Sequence, residues 1–216
     1  TAHAVAQRAR DLAIRETAYA AGDGRTADAR LRLARLLSRA GRGDDMIALY
    51  EAALAHDESA LEKDHPKVGD LLNQYATQLM LAGRPDRAEP LFARVQAIRL
   101  STEGAGSIRL AEASEDRAVA LKALERLAEA EKLYRDALAI RETVNGVGSA
   151  EAVTSTIHLA NIVEDLDRPV EAETLYKRAL ESGIARLGQD NILVGFTDLF
   201  LGMLFFGQNR IDESEP

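Results

Sequence analysis

Gly41-Arg42-Gly43-Asp44 returns as Gly83-Arg84-Pro85-Asp86, then as Asp167-Arg168-Pro169 and Asn209-Arg210-Ile211-Asp212, at spacings of 42, 84 and 42 residues. Glu125-Arg126 fills the missing step. The downstream stretch keeps the same phase: Ala88-Glu89-Pro90-Leu91-Phe92, Ala130-Glu131-Lys132-Leu133-Tyr134 and Ala172-Glu173-Thr174-Leu175-Tyr176 align, with Met46 to Tyr50 a looser copy. Asp11 to Thr17 (DLAIRET) comes back as Ala137 to Thr143 (ALAIRET) three periods later. A fixed period of this size signals supersecondary units stacked on one another, none of which buries its apolar face alone.

The chain of 216 residues therefore reads as one array counted in repeats, with partial repeats at about 1–24 and 191–216 and full ones at 25–65, 66–106, 107–148 and 149–190. Its 46% hydrophobic content with only 5% aromatic residues, and its many alanines, suit closely packed helices and exclude a disordered chain. The net charge of −8 argues against a nucleic acid partner, whose phosphates it would repel. Cysteine is absent, so neither a disulfide framework nor thiolate chemistry is available. No secretory apolar segment opens the chain; residues 1–17 are amphipathic and already in phase with a later repeat. Because it starts at Thr1 and stops mid-repeat at Pro216, it reads as a fragment of a longer protein, with cytoplasmic location the expectation and any targeting signal outside it.

One repeat can be read in full. Asp64-His65-Pro66 opens it: a polar residue able to cap free amides, then a proline whose missing donor costs nothing in a first helical turn. Val68, Leu71, Leu72, Tyr75, Ala76 and Leu79 recur at helical spacing and end at Gly83, where a left-handed residue is easy. This predicts a helix A over about 66–82. Pro85 restarts the chain, and Ala88, Leu91, Phe92, Val95 and Ile98 give a helix B through about residue 101. Ala76 and Ala88 allow close approach, with Phe92 filling the space between repeats. A helix of about 17 residues is roughly 26 Å long, so each repeat is a helical hairpin.

The pattern resembles the tetratricopeptide repeat in its 42-residue form, similar to the repeats of kinesin light chains. The shared features are the Asp-His-Pro opening, Leu72-Asn73-x-x-Ala76, Gly-Arg, Ala-Glu-x-Leu-Phe/Tyr and Ala-Leu-x-Ile-Arg-Glu. The resemblance implies an all-α fold, a right-handed α-solenoid of antiparallel helix pairs, whose helix A side chains line a concave inner surface. By phase these are Asp28, Leu31, Arg35, Ser38 and Arg39; Asp70, Asn73, Thr77, Met80 and Leu81; Glu112, Glu115, Val119, Lys122 and Ala123; Thr154, Ile157, Asn161, Glu164 and Asp165. Only one repeat has Asp-His-Pro, and the paired asparagines of the kinesin type are reduced to Asn73-Gln74, so cargo binding of that type does not carry over. The lysine-asparagine clamp for acidic chaperone tails is also missing at the mapped positions.

On that surface Arg35 and Arg39 stand one turn apart, suited to bidentate capture of a carboxylate. Glu112, Glu115, Glu164 and Asp165 place acid farther along, which predicts a bipolar groove that orients a segment of mixed charge. Asn73 and Asn161 can hydrogen-bond a ligand backbone, with Thr77 and Lys122 beside them. Each could equally be a solvated helix face.

Gly104-Ala105-Gly106-Ser107 and Gly146-Val147-Gly148-Ser149 do not complete a phosphate-binding fingerprint and follow no strand; they read as turns between repeats, with Ser107 and Ser149 as N-caps. His3, His56, His65 and His158 show no metal-ligand spacing, so no metal or cofactor is expected. No pair of carboxylates falls in an enclosed apolar site and no nucleophile motif occurs, so no catalytic residues are expected.

Ile192 to Phe206 is the most apolar stretch. At about 15 residues it is short for a membrane span, and in phase it is helix A of a fifth repeat whose helix B would start near Ile211. Phe200 and Phe205 would then lose part of their cover, at roughly 1.5 to 3 kcal/mol for each large apolar side chain. Self-association through helix 192–207, or continuation by more repeats, is the expectation. The functional expectation is a non-catalytic scaffold that binds a protein or peptide segment; the alternative is the sensor or regulatory arm of a larger signalling protein.

Overall fold

The computed structural model describes residues 2–18 and 24–208, which form ten helices and no strand. In chain order these are α1 (Ala2–Ala18), α2 (Gly24–Arg39), α3 (Gly43–Ala60), α4 (Pro66–Leu81), α5 (Pro85–Glu103), α6 (Ile108–Ala123), α7 (Leu127–Val144), α8 (Ala150–Asp165), α9 (Pro169–Leu187) and α10 (Ile192–Gly207). The side chain of Asp28 and the helix expected from Ile211 lie outside the described residues. The chain forms two compact blocks, Thr1–Thr102 and Glu103–Pro216. In the first, α1, α2, α3 and α4 pack each on the next and α2 also touches α4; in the second, α6 to α10 do the same and α8 also touches α10. Contact with the neighbour and the next but one is the pattern of a solenoid of antiparallel helix pairs.

The hairpin turn repeats atom for atom. The carbonyls of Leu37, Leu79, Leu121 and Val163 accept from the amides of Arg42, Arg84, Arg126 and Arg168 at 2.9, 2.9, 2.9 and 3.2 Å. Those of Ser38, Met80, Lys122 and Glu164 accept from the residue just before each arginine. This pair of bonds closes a helix C-terminus only if the residue before the arginine is left-handed. Gly41 and Gly83 meet that demand at φ of 72° and 69°, and Glu125 and Asp167 meet it at 59° and 58° without glycine's freedom.

Helices α4, α6, α8 and α10 also start alike. His65 Nδ1 accepts from the Lys67 amide at 3.1 Å, Ser107 Oγ from Leu110 and Ser149 Oγ from Ala152 at 3.2 Å, and Asn191 Oδ1 from Leu193 at 2.9 Å. The caps stand one period apart, and in the Asp-His-Pro opening it is His65 that caps. The glycine turn 146–149 is held by Arg186, which donates to the carbonyls of Asn145 (2.8 Å) and Val147 (3.2 Å).

The interior alternates small and large by period. Ala34, Ala76, Ala118 and Ala160 on helices A, and Ala88, Ala130 and Ala172 on helices B, are all fully buried, letting backbones approach. Tyr50, Phe92, Tyr134 and Tyr176, at one phase of helix B, fill the space left. Tyr50 stacks on Tyr75 at 5.1 Å, Tyr134 tilts against His158 at 5.7 Å and Tyr176 stacks on Phe200 at 6.1 Å. Burying such side chains contributes about 1.5 to 3 kcal/mol each, which makes this the main cohesion between repeats.

Successive helices B are also tied by ion pairs 36 residues apart. Glu58 pairs with Arg94 and Glu142 with Arg178, while Glu51 meets Arg87 at 3.0 Å. Two periods on, Arg135 meets Glu171 at 2.6 Å, so the same pair position carries its charges reversed.

On α10 the expectation about cover needs correcting. Phe205 is buried, with Lys177 Nζ 5.7 Å from its ring centroid, and Phe200 is half-buried on Tyr176. The exposed apolar residues are instead Ile192, Phe196, Leu199, Met203 and Phe206. The packed face of α10, formed by Val194, Thr197, Leu201, Leu204 and Phe205, already closes on the preceding hairpin. Bulk hydrophobicity drew attention to the helix but did not tell its two faces apart. Among the described residues no helix is long and apolar enough to cross a membrane.

Candidate functional site

In the first block, α2 presents Arg35 and Arg39 on its exposed side. Arg35 Nη2 donates to Gln74 Oε1 on α4 at 3.1 Å, so one of the two guanidinium groups already bridges successive helices A. Burial pushes the Tyr50 phenol up, and the Arg35 cation beside it opposes that shift. On α4, Asn73 is half-buried, with Oδ1 sealed from solvent and accepting no hydrogen bond. Thr77, one turn on, is exposed but spends its hydroxyl proton on the Asn73 carbonyl at 2.8 Å.

The second block brings the other named residues onto α6 and α8. Glu112 is exposed on α6. Glu115 is not: Arg141 of α7 donates to both its oxygens, at 3.2 and 2.7 Å, and Ser155 of α8 donates to Oε1. With side chains only 15% and 11% exposed, the Glu115–Arg141 pair works as a rivet through three helices. A ligand group hydrogen-bonding Glu115 would compete with Arg141 and Ser155. Beside the rivet lies a cavity of about 220 Å³, lined by Glu115, Arg141, Ala150, Glu151, Thr154 and Ser155.

Lys122 on α6 is exposed and holds Asp165 of α8, Nζ to Oδ2 at 2.5 Å. Asn161 accepts the Tyr176 hydroxyl, which also lies 3.2 Å from Glu164 Oε2. Asn161 is thus positioned by α9 rather than simply solvated. Burial, reinforced by the nearby Glu164 carboxylate, raises the Tyr176 phenol, so it stays a donor. The Tyr134 phenol is pushed up to about 12 by burial, with Glu115, Asp116 and Asp165 adding to it. His158 is lowered by burial; Arg141 and Lys122 push the same way and Glu115 opposes them. Its Nδ1 is sealed without a partner.

Arg141, Ser155, Tyr176 and Gln74, which orient the named residues, were not singled out from the sequence. They sit on helix B, or on helix A outside the mapped positions. The repeated Ile-Arg-Glu triplet was a signal for Arg141, since a charge that returns in phase within an apolar stripe needs a partner. Among the described residues no group of histidine and acidic side chains is placed to hold a metal ion.

Two family models described as "Tetratricopeptide repeat" match residues 67–143 and 29–63, together just over half of the chain. A crystal structure of a Podosopora anserina kinesin light chain-type protein with nearly identical TPR-like repeats is similar to the chain at TM-score 0.76 and 19% identity, covering 87% of this chain and 88% of that one. BtubC (BKLC) from P. vanneervenii gives 0.76 and 19%, over 97% and 85%. The apo form of RapI gives 0.59 and 11%, over 87% and 78%. At these identities the likeness establishes the fold. No curated protein matches the chain. The 42-residue turn, the phased alanines and tyrosines, and the two family matches agree: the chain belongs to the tetratricopeptide repeat family.

Proposed function

We propose that the chain is a non-catalytic scaffold whose helix A faces bind a peptide segment of a partner protein. A protein-interaction role fits the family and its structural neighbours. The observation that carries the finer reading is what stays open on the helices A of each block. In the first block Thr77 on α4 is exposed; in the second, Glu112, Val119 and Lys122 on α6 and Glu164 on α8 are exposed. In the first block Asn73, one turn before Thr77, has a buried acceptor without a donor. Within each block such a face offers side chains at fixed spacing on packed helices, so little ordering entropy is lost by the receptor on binding.

Within this reading Arg35 and Lys122 are the cationic contacts, each held by a neighbour that a ligand carboxylate would replace, and Glu112 and Glu164 are the anionic ones. The most enclosed carboxylate, Glu115, is locked by Arg141 and Ser155, which favours a structural role for it over acid–base chemistry.

The test is affinity capture from lysate with the chain and with an Asn73→Ala, Glu112→Gln, Lys122→Ala variant of unchanged thermal midpoint. Partners retained by the first and lost by the second support peptide capture on these faces; partners shared equally by both would exclude it.

A further inference from the structure

The α10 face gives the ligand a chemistry. Moving back one period from Phe196, Leu199, Met203 and Phe206 leads to Thr154, Ile157, Asn161 and Glu164 on α8; two periods lead to Glu112, Glu115, Val119 and Lys122 on α6. Among these are Glu112, Lys122 and Glu164, the contacts just assigned to the ligand in this block. α8 has helices packed before and after it in its block, yet Thr154 and Asn161 remain half-exposed and Glu164 exposed. Only Ile157, the counterpart of Leu199, is buried there. Helix stacking therefore does not cover this register, and Phe196, Met203 and Phe206, at 48%, 60% and 70% exposure, are open because the register is open.

The five exposed apolar residues, Ile192 included, are spaced 4, 3, 4 and 3, the seam that receives the knobs of another helix. Gly195, beside the seam, faces empty space where a side chain would stand, so a partner backbone could come close. Around it the charges not held in ion pairs are acidic, since Arg141, Lys122 and Lys177 are paired with Glu115, Asp165 and Glu173. Asp198 on α10, Glu151 and Glu164 on neighbouring α8, and Glu112 on α6 are exposed and have no ion-pair partner among the described residues. The lysine of this face, Lys122, is neutralised by Asp165.

We propose that α10 is an apolar subsite, edged by carboxylates, for a basic amphipathic helix of a partner protein; the proposal rests on the peptide-scaffold reading above and names its ligand class. Apolar side chains of that helix would enter the seam between Phe196, Met203 and Phe206, where a flexible methionine adapts to what it meets. Its lysines and arginines would meet Glu164, Glu151 and Asp198. A second copy of this chain is the poorer occupant, since it would bring an acidic border against an acidic border. The same carboxylates repel an anionic lipid surface.

The test is fluorescence anisotropy of a synthetic helix of leucine and lysine, the leucines along one face, titrated with the full chain. Controls are the same peptide with glutamate for lysine and with alanine for leucine. Both controls should bind at least about tenfold more weakly, and the leucine–lysine peptide should weaken as salt rises. A Phe196→Ser, Met203→Ser double variant, which alters only exposed side chains, should lose about tenfold or more for that peptide, whereas Met203→Leu should keep its affinity. Equal binding of the glutamate peptide, or an unaffected double variant, overturns the proposal. So does a dimer in sedimentation that the double variant abolishes, which would make a second copy the occupant. If lysate partners are captured through the α6 and α8 contacts while the leucine–lysine peptide fails, the α10 subsite falls alone; if both fail, the scaffold reading falls with it.

Discussion

Arg99 and Arg141 stand one period apart near the ends of their helices B, and each reaches across to the helix A of its own hairpin. Arg99, in the first block, donates to Asp70 and, at 3.5 Å, to the Pro66 carbonyl; its own side chain is 4% exposed but that of Asp70 is 46% exposed. Arg141, in the second block, donates to Glu115 one turn further along, and the pair is enclosed with Ser155 fastened onto it. The position one turn further along in the first block is Asn73, whose acceptor is left empty. One arginine, displaced by a turn in its choice of acid, thus decides whether the same register of helix A is tied down by an ion pair or left with a buried acceptor unpartnered.

The comparison breaks most sharply by deleting the two arginines. Arg141→Ala leaves an enclosed carboxylate without its cation and should cost about 3 kcal/mol, the range for breaking a buried pair from one side. Arg99→Ala should cost less, about 1 to 2 kcal/mol, because Asp70 can be rehydrated where it stands. Urea denaturation of both variants reads the difference. Equal losses would mean that packing of the arginine stems dominates and that the enclosure of Glu115 is incidental.

Next in size is the turn. Glu125 and Asp167 occupy the left-handed position that Gly41 and Gly83 fill without strain. Glu125→Gly should stabilise the chain by about 0.5 to 1 kcal/mol and Gly83→Ala should destabilise it by about 1 kcal/mol. The Gly83→Ala loss, measured by thermal or urea unfolding, sharpens the claim that the turn sets the period.

What could be read from the sequence follows from how local each feature is. The turn, the caps at Ser107 and Ser149 and the buried alanines are set within a few residues, so periodicity reveals them. Glu115 was read as a ligand contact because its helix-A position allows that. Its real fate depends on Arg141 and Ser155, 26 and 40 residues away. Likewise, the hydropathy of 192–206 marks the segment but not its open face, since eleven apolar residues in sequence do not say which of them meet α9. Phase against α8 does say so, and that comparison needed the exposure of α8 in its stack.

A smaller effect tests the reversed ion pair. Arg135→Glu should cost about 0.5 to 1 kcal/mol by setting a carboxylate beside Glu171 and Glu131. Adding Glu171→Arg should restore part of it, recreating the polarity of Glu51 and Arg87 while giving up the Glu171 pair with Arg168. The loss should shrink at high salt, as expected between exposed side chains. A double variant no better than the single one would show that Glu131, which also pairs with Arg135 and Arg168, sets the orientation instead.

The smallest effect is a pH dependence peculiar to the second block, where His158 packs on Tyr134 within reach of Glu115, Arg141 and Lys122. Burial holds the imidazole below its ordinary value near 6.5, so the unfolded chain takes up the proton first. Its contribution to stability is then complete above about pH 6.5 and is lost as pH falls through and below that value. The first block has Gln74 at this register, which does not titrate. The thermal midpoint should therefore drop between about pH 7.5 and about pH 5.5, and His158→Gln should flatten that slope. An identical slope in the variant would assign the acid sensitivity elsewhere and leave Tyr134 and His158 a packing pair alone.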